Sequence, residues 1–182
     1  MHFPKPYADR VAKLRVPGGF VLVAAFLWLA TPTWGSLVYG LLISFLGLAL
    51  RTWAAGHLEK NRTLAESGPY AYLRNPLYIG TLTTAAGFAA ASRRWELGLL
   101  FATVFLLIYL PVVELEEQHL RSLFPEYAAY AERVPPFFPH FNGPTGPKPF
   151  RWAVYVRNQE YQAGIGFLIG AAVLAWKCLN ND

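Results

Sequence analysis

Two polar segments carry residue types suited to holding a small charged ligand. The first is GPYAYLRNPLYIG, Gly68–Gly80. Gly68-Pro69 marks a turn. Pro76 has no N–H to donate and suits the first turn of a helix. Asn75 precedes it, is biased toward an extended backbone, and its side chain is a candidate cap for that helix. Amide groups at such a start attract an anion, and Arg74 adds a full positive charge. Tyr70, Tyr72 and Tyr78 supply aromatic faces. The plainer alternative is an aromatic belt at a membrane boundary with an arginine reaching to the headgroups. The second segment is ELEEQHL, Glu114–Leu120, with three carboxylates in four positions. Glu116 and Leu120 share a helix face, and Glu117 points about 100° away. A carboxylate turned inward is a partner for a cation, either Arg74 or a charged ligand. The alternative is a solvated surface with Glu117 and Arg121 paired at i,i+4. Beyond Pro125 a new helix is expected, with Glu126 favourable in its first turn and Tyr127 and Tyr130 on one face. Val134-Pro135-Pro136 ends it. The Pro/Gly/Phe-rich tract Phe137–Pro149 reads as a loop along the membrane surface.

The rest of the chain must hold these segments, and its composition says where. Of 182 residues, 54% are hydrophobic and 15% charged, against about 25% charged in an average soluble domain. The apolar residues cluster in five blocks, Val16–Thr33, Ser36–Leu50, Leu77–Ala91, Leu97–Val113 and Gly164–Trp176. A spanning helix needs about 17–25 apolar residues. The first, second and fourth blocks qualify with their flanks; the third and fifth are short and would need tilt or neighbours. The second and fourth show no polar face, which disfavours a soluble bundle of buried helices. The fold expected is therefore all-α, a multi-pass transmembrane bundle of about five spans. The single cysteine, Cys178, excludes an intrachain disulfide and a Cys-rich zinc site. No His/Cys/Asp cluster has metal spacing, and no Ser-His-Asp or G-x-G-x-x-G pattern appears.

Charge sets the expected orientation. With a cytoplasmic N-terminus and five crossings, 13 of the 16 Lys and Arg residues lie inside, and Arg93, Arg94 and Lys177 lie outside. The positive-inside rule favours this arrangement. It accounts for the net charge of +5 without nucleic acid, for which no basic stripe with interleaved aromatics is present. The basic arm before the first block has no small-x-small cleavage site after it, so a retained span is expected. The chain then reads as one integral membrane domain: an arm over 1–15, four spans within 16–113, a cytoplasmic segment over 114–163 and a last span over 164–177. In the arm, Phe3, Tyr7, Val11 and Leu14 recur at near-helical spacing, as in an interfacial helix or a solvated leader. Gly166 and Gly170 form a small-xxx-small pattern. It serves packing within the bundle or a weak homodimer, so a monomer or weak homodimer is expected. Arg157 and Glu160 precede the last span and are candidates to close the cytoplasmic site.

GPYAYLRNPLYIG followed, after an apolar hairpin, by EEQHLRSLFPEYAAYAERVPPFFP resembles the isoprenylcysteine carboxyl methyltransferase and phospholipid methyltransferase superfamily of membrane enzymes. Its usual motifs are close to G-P-Y-x-x-x-R-H-P-x-Y-x-G and E-E-x-x-L-x-x-x-F-G-x-x-Y-x-x-Y. The match covers roughly Arg51 to Pro139. Tyr70, Arg74, Asn75, Pro76, Tyr78 and Gly80 fall on the first motif, and Glu116, Glu117, Leu120, Tyr127 and Tyr130 on the second. Asn75 stands where the pattern has His, and Pro125 where it has Gly. His57 is a candidate substitute for that imidazole or a structural residue.

The resemblance implies S-adenosylmethionine (SAM) as methyl donor, held on the cytoplasmic side by those eleven residues. It also implies a hydrophobic acceptor that enters from the bilayer among membrane lipids. Displacement at a sulfonium needs no covalent nucleophile; it needs alignment and charge balance. Arg74 would meet the carboxylate of SAM, and Glu116 or Glu117 its ammonium. The tyrosines would wall its adenine and sulfonium. Arg74, Asn75 and Glu117 are the candidate catalytic residues. Two other readings remain open: a membrane reductase using NADPH on a related helical core, and a non-catalytic membrane interaction protein.

Overall fold

A computed structural model describes residues 5–140 and 149–181. Phe3 of the expected arm and most of the Phe137–Pro149 loop lie outside these residues. The described chain is helical, with no strand among its elements. In order come α1 (Lys5–Ala12), α2 (Arg15–Leu29), α3 (Trp34–Ala55), a 3-10 turn (Gly68–Ala71), α4 (Pro76–Ser92) and α5 (Trp95–Val104). A π-helical turn (Phe105–Tyr109) then leads into α6 (Leu110–Leu123), followed by α7 (Tyr127–Arg133), α8 (Trp152–Arg157) and α9 (Tyr161–Asn181).

Each apolar block forms a helix, but their lengths differ from expectation. Among the described residues, three stretches are long and apolar enough to cross a membrane: Trp34–Ala55, Trp95–Leu123 and Tyr161–Asn180. The fifth block is thus full length, because Tyr161-Gln162 and the residues after Trp176 continue the helix beyond the apolar core. The first block gives only the 15 residues of α2. It reaches spanning length as a bent pair with α1, at 51°. The third gives the 17 residues of α4, at the short edge of what a bilayer accepts.

The chain divides into two compact units that share its long helices. The first comprises Met1–Ile43, Ala85–His119 and Gly170–Asp182. Its core is Ala30, Leu37, Ala91, Leu97, Leu174 and Cys178, with Phe26 edge-on to Phe88 at 5.6 Å. The C-terminal carbonyls of α2 receive two cations: Lys177 Nζ donates to Ala30 O at 2.9 Å and Arg94 Nε to Leu29 O at 3.1 Å. Positive charge is favourable at that end of a helix. Pro111 has no N–H to close an α-helical bond to the Leu107 carbonyl. The helix widens into its π turn there, and Leu107 O accepts the Tyr7 hydroxyl of α1 at 2.9 Å. The arm is therefore a docked helix with Ala8 and Val11 buried.

Close backbone approach explains why the third block is rich in Gly, Ala and Thr. In the first unit, a Cβ on Gly40 of α3 would lie 2.6 Å from Gly87 O and from Ala91 of α4. The same arrangement recurs in the second unit, which comprises Ser44–Thr84 and Leu120–Ile169. There Gly47 faces Gly80 O and the Thr84 amide with no space for a side chain. Ser44 Oγ donates to Thr84 O at 2.8 Å, and Thr84 Oγ1 contacts Ser44 O at 3.3 Å. Small residues at heptad spacing let the two backbones meet, which is how helices associate where lipid removes the hydrophobic drive. The Gly166/Gly170 pair is split. Gly170 sits under the Phe88 ring, whereas nothing lies within 4 Å of a Cβ on Gly166.

Gly47→Ala should therefore destabilise the protein by about 1–3 kcal/mol, the usual range for overpacking. Gly166→Ala should be neutral, or stabilising by up to about 1 kcal/mol through helix propensity. Thermal unfolding in detergent, followed by tryptophan fluorescence, measures both; equal effects would contradict the packing described. Tyr7→Phe should cost about 1 kcal/mol and raise amide exchange across α1, a change that exchange mass spectrometry would detect.

Candidate functional site

The first polar segment begins at a position only glycine can fill. Gly68 has φ of +59°, and a Cβ there would come within 2.8 Å of the His57 ring. His57 Nδ1 lies 2.9 Å from Trp53 O, so it carries the proton toward that carbonyl. Its ring also stands 6.0 Å from Phe150, edge-on. These contacts give His57 a packing role at the entrance to the segment. The chain then makes the 3-10 turn, with Pro69, Tyr70 and Ala71 buried, and passes through Arg74-Asn75 into α4.

The segment following α7 is bound along this turn. Arg74 N donates to Pro135 O at 2.9 Å, and His140 N to Tyr72 O at 3.0 Å. Asn75 Nδ2 donates to Pro136 O at 3.2 Å, and the Tyr130 hydroxyl to Tyr70 O at 2.8 Å. A Pro-Pro run is extended and lacks donors, so its carbonyls are available as acceptors. The two segments are thus joined, across some sixty residues of chain, by two backbone bonds and two bonds from side chains to carbonyls. Beneath them Leu64, Phe124, Tyr127, Tyr130 and Val134 form one cluster, with Leu120 packed against it. The Arg121 guanidinium stands 5.4 Å from the Tyr127 ring centre.

This arrangement divides the eleven residues expected at the site. Tyr70, Tyr127 and Tyr130 are 6%, 1% and 3% exposed; Tyr127 and Tyr130 belong to that cluster, and Tyr70 is tied to it through its carbonyl. Pro76 and Gly80 are also buried. Gly80 is small because the Arg51 side chain crosses it; a Cβ there would lie 2.5 Å from Arg51 Cγ. Arg74, Asn75 and Tyr78 are half-buried at the start of α4. On α6, Glu117 is half-buried and Glu116 exposed, so Glu117 is the better-shielded carboxylate. The amides of Tyr78 and Ile79 both bond to Asn75 O at 3.1 Å. Anion binding at this helix start therefore rests more on Arg74 than on free amides. A cation, a side-chain amide and a tyrosine at one helix start fit the carboxylate end of an amino-acid-bearing ligand.

Several residues here had no local signature. Arg51 Nε and Glu160 Oε1 are 2.5 Å apart, though 109 residues separate them. Arg157 does not share that partner: it lies 3.8 Å from Glu59, which Arg151 approaches to 2.5 Å. Asn158 Nδ2 donates to Ala55 O and Leu58 O at 2.9 and 2.8 Å, closing the C-terminal end of α3. Glu160 is singled out with Arg157 before the last span; Arg51 is not, and its only sign is a lone charge at the end of a long apolar run.

Comparison with known proteins places these motifs in a family. The phospholipid methyltransferase family profile matches residues 19–127. The chain is 36% identical over 148 residues to the cobalt-zinc-cadmium resistance protein CzcN of Cupriavidus metallidurans, covering 78% of this chain and 68% of that one. It is 33% identical over 108 residues to the nickel-cobalt-cadmium resistance protein NccN of Alcaligenes xylosoxydans xylosoxydans, covering 56% of this chain and about half, 51%, of that one. No solved structure matches. With the family profile covering both the first motif and the start of the second, the chain belongs to the phospholipid methyltransferase family.

Proposed function

We propose that this protein transfers a methyl group from SAM to a lipid-soluble or lipidated acceptor at the cytoplasmic membrane face. The observation that carries the reading is the turn Arg74-Asn75, half-buried at the start of α4 and fastened to the Pro135 and Pro136 carbonyls. A turn so fastened has its backbone fixed before any ligand arrives, which lowers the ordering cost of binding. Family membership and the apolar helices support a membrane methyltransferase. The inward bias of Lys and Arg supports a cytoplasmic site.

Bound SAM would supply an activated methyl on a sulfonium, ready for in-line displacement. Arg74 would pair with its carboxylate in a charge-assisted contact, and Asn75 would orient the same end. Tyr78 would offer an aromatic face to positive charge. Glu117 is the carboxylate assigned to the ammonium. An apolar surround would exclude water and strengthen each of these contacts. The acceptor would enter from the bilayer.

The names of the two relatives favour a second reading, in which this activity serves tolerance to divalent metals. Among the described residues, no group of three or more His, Cys, Asp or Glu could hold a metal ion. In this reading the methylated acceptor would be the means of tolerance.

Isothermal titration of the purified protein in nanodiscs with SAM, its demethylated product and NADPH separates the readings. SAM and its product should bind, and NADPH should not. Arg74→Ala should weaken SAM at least about tenfold, the loss of a charged hydrogen bond of about 1.5–3 kcal/mol; Glu117→Gln should weaken it less. Full affinity in both variants would refute the site, NADPH binding alone would favour a reductase, and binding of neither ligand would favour an interaction protein. For the second reading, a metal-sensitive host carrying the wild type should outgrow one carrying Arg74→Ala in cadmium. Equal growth would dissociate tolerance from methyl transfer.

A further inference from the structure

Arg51 grips one face of the first two turns of α4. Its Nη1 donates to Leu77 O at 3.4 Å and to the Thr81 hydroxyl, and Thr81 Oγ1 bonds in turn to Leu77 O at 2.8 Å. The stem of Arg51 lies over Gly80. Leu77, Gly80 and Thr81 are spaced at i, i+3 and i+4, so they form a single face of the helix. On its other edge the guanidinium meets Glu160 through Nε. The side chains of Arg51 and Glu160 are 23% and 9% exposed. Gln159, immediately before Glu160, has φ of +55°. That is a strained conformation for a residue with a side chain, and it immediately precedes the buried Glu160 at the head of α9.

An ion pair so shielded adds little to stability over two well-packed apolar side chains. What it adds is geometry: the planar fork of arginine fixes direction, which an apolar contact does not. Gripping the Leu77–Thr81 face sets the rotation of α4 about its own axis. That rotation sets where Tyr78, about 100° around the helix from Leu77, and the preceding Arg74-Asn75 turn are directed. We propose that Arg51 and Glu160 are positioning residues that hold the Arg74–Tyr78 turn in register for its ligand. The inference rests on the methyltransferase reading for the identity of that ligand, but not for the ordering of the turn.

The test uses the full chain in nanodiscs, with amide exchange over residues 74–81 and titration with SAM as separate readouts. The double variant Arg51→Met/Glu160→Leu replaces the pair by apolar side chains. It should keep the thermal midpoint and helix content of the wild type, while exchange over 74–81 rises at least tenfold and SAM affinity falls at least tenfold. Thr81→Val, which removes only one link to α4, should raise exchange over the same residues more modestly. Arg51→Lys keeps the charge toward Glu160 but loses the fork, so it should fall between the wild type and the double variant. Wild-type exchange over 74–81 in the double variant, or in both Thr81→Val and Arg51→Lys should the double variant not fold, would overturn the proposal. So would raised exchange with unchanged SAM affinity. A wild type that binds no SAM would overturn the methyltransferase reading alone, since exchange still decides whether the pair orders the turn.

Discussion

The close approach of α3 and α4 is the constraint on which the other features depend. Apolar surroundings give two greasy helices no reason to prefer each other over lipid. Gly40 and Gly47 on α3, and Gly80 on α4, lack the side chains that would keep the backbones apart. Dispersion contacts and the Ser44–Thr84 hydrogen bonds then operate at short range. The same closeness lets one arginine on α3 cover a glycine of α4 and reach the first turns beyond it. A wider gap would leave Arg51 too short to hold both Thr81 and Glu160.

At the start of α4 the architecture changes from side-chain packing to backbone pairing. A turn bearing an arginine cannot be buried in an apolar cluster without desolvating its charge. The tyrosines are buried instead, and their burial secures the turn from below. Tyr130 shows how: its ring belongs to the cluster, while its hydroxyl satisfies the Tyr70 carbonyl. The Pro135 and Pro136 carbonyls complete the attachment from the side. Arg74, Asn75 and Tyr78 remain half-buried. Membership of the phospholipid methyltransferase family is consistent with a half-buried polar turn on an apolar base.

Much of the fold was legible in residue order. The five apolar blocks each became a helix, Pro76 began α4 and Val134-Pro135 ended α7, because hydrophobic runs and proline act locally. Helix lengths were less legible. Tyr161, Gln162 and Asn180 are polar or mixed residues that extend α9 past its apolar core. At the site, the motif positions identified the right segments but not what each residue does there. Tyr127 and Gly80 fall on the motifs as plainly as Arg74 does. Yet one fills a core and the other makes room for Arg51. Periodicity cannot separate a residue that touches a ligand from one that supports its neighbour, since both are spaced by the same helix. The Arg51–Glu160 pair was illegible because its members are distant in sequence. The glycines at seven-residue spacing on two successive blocks were a readable sign of helix contact.

The fastening of the N-terminal arm has a consequence for the order of assembly. The carbonyl that accepts the Tyr7 hydroxyl belongs to Leu107, a hundred positions downstream. As the polypeptide leaves the ribosome, α1 emerges before the carbonyl it binds. It must wait, undocked, until the segment containing Leu107 and Pro111 has been made. Its docking is therefore a late event in biogenesis, and a nascent chain halted before Leu107 would carry the arm undocked.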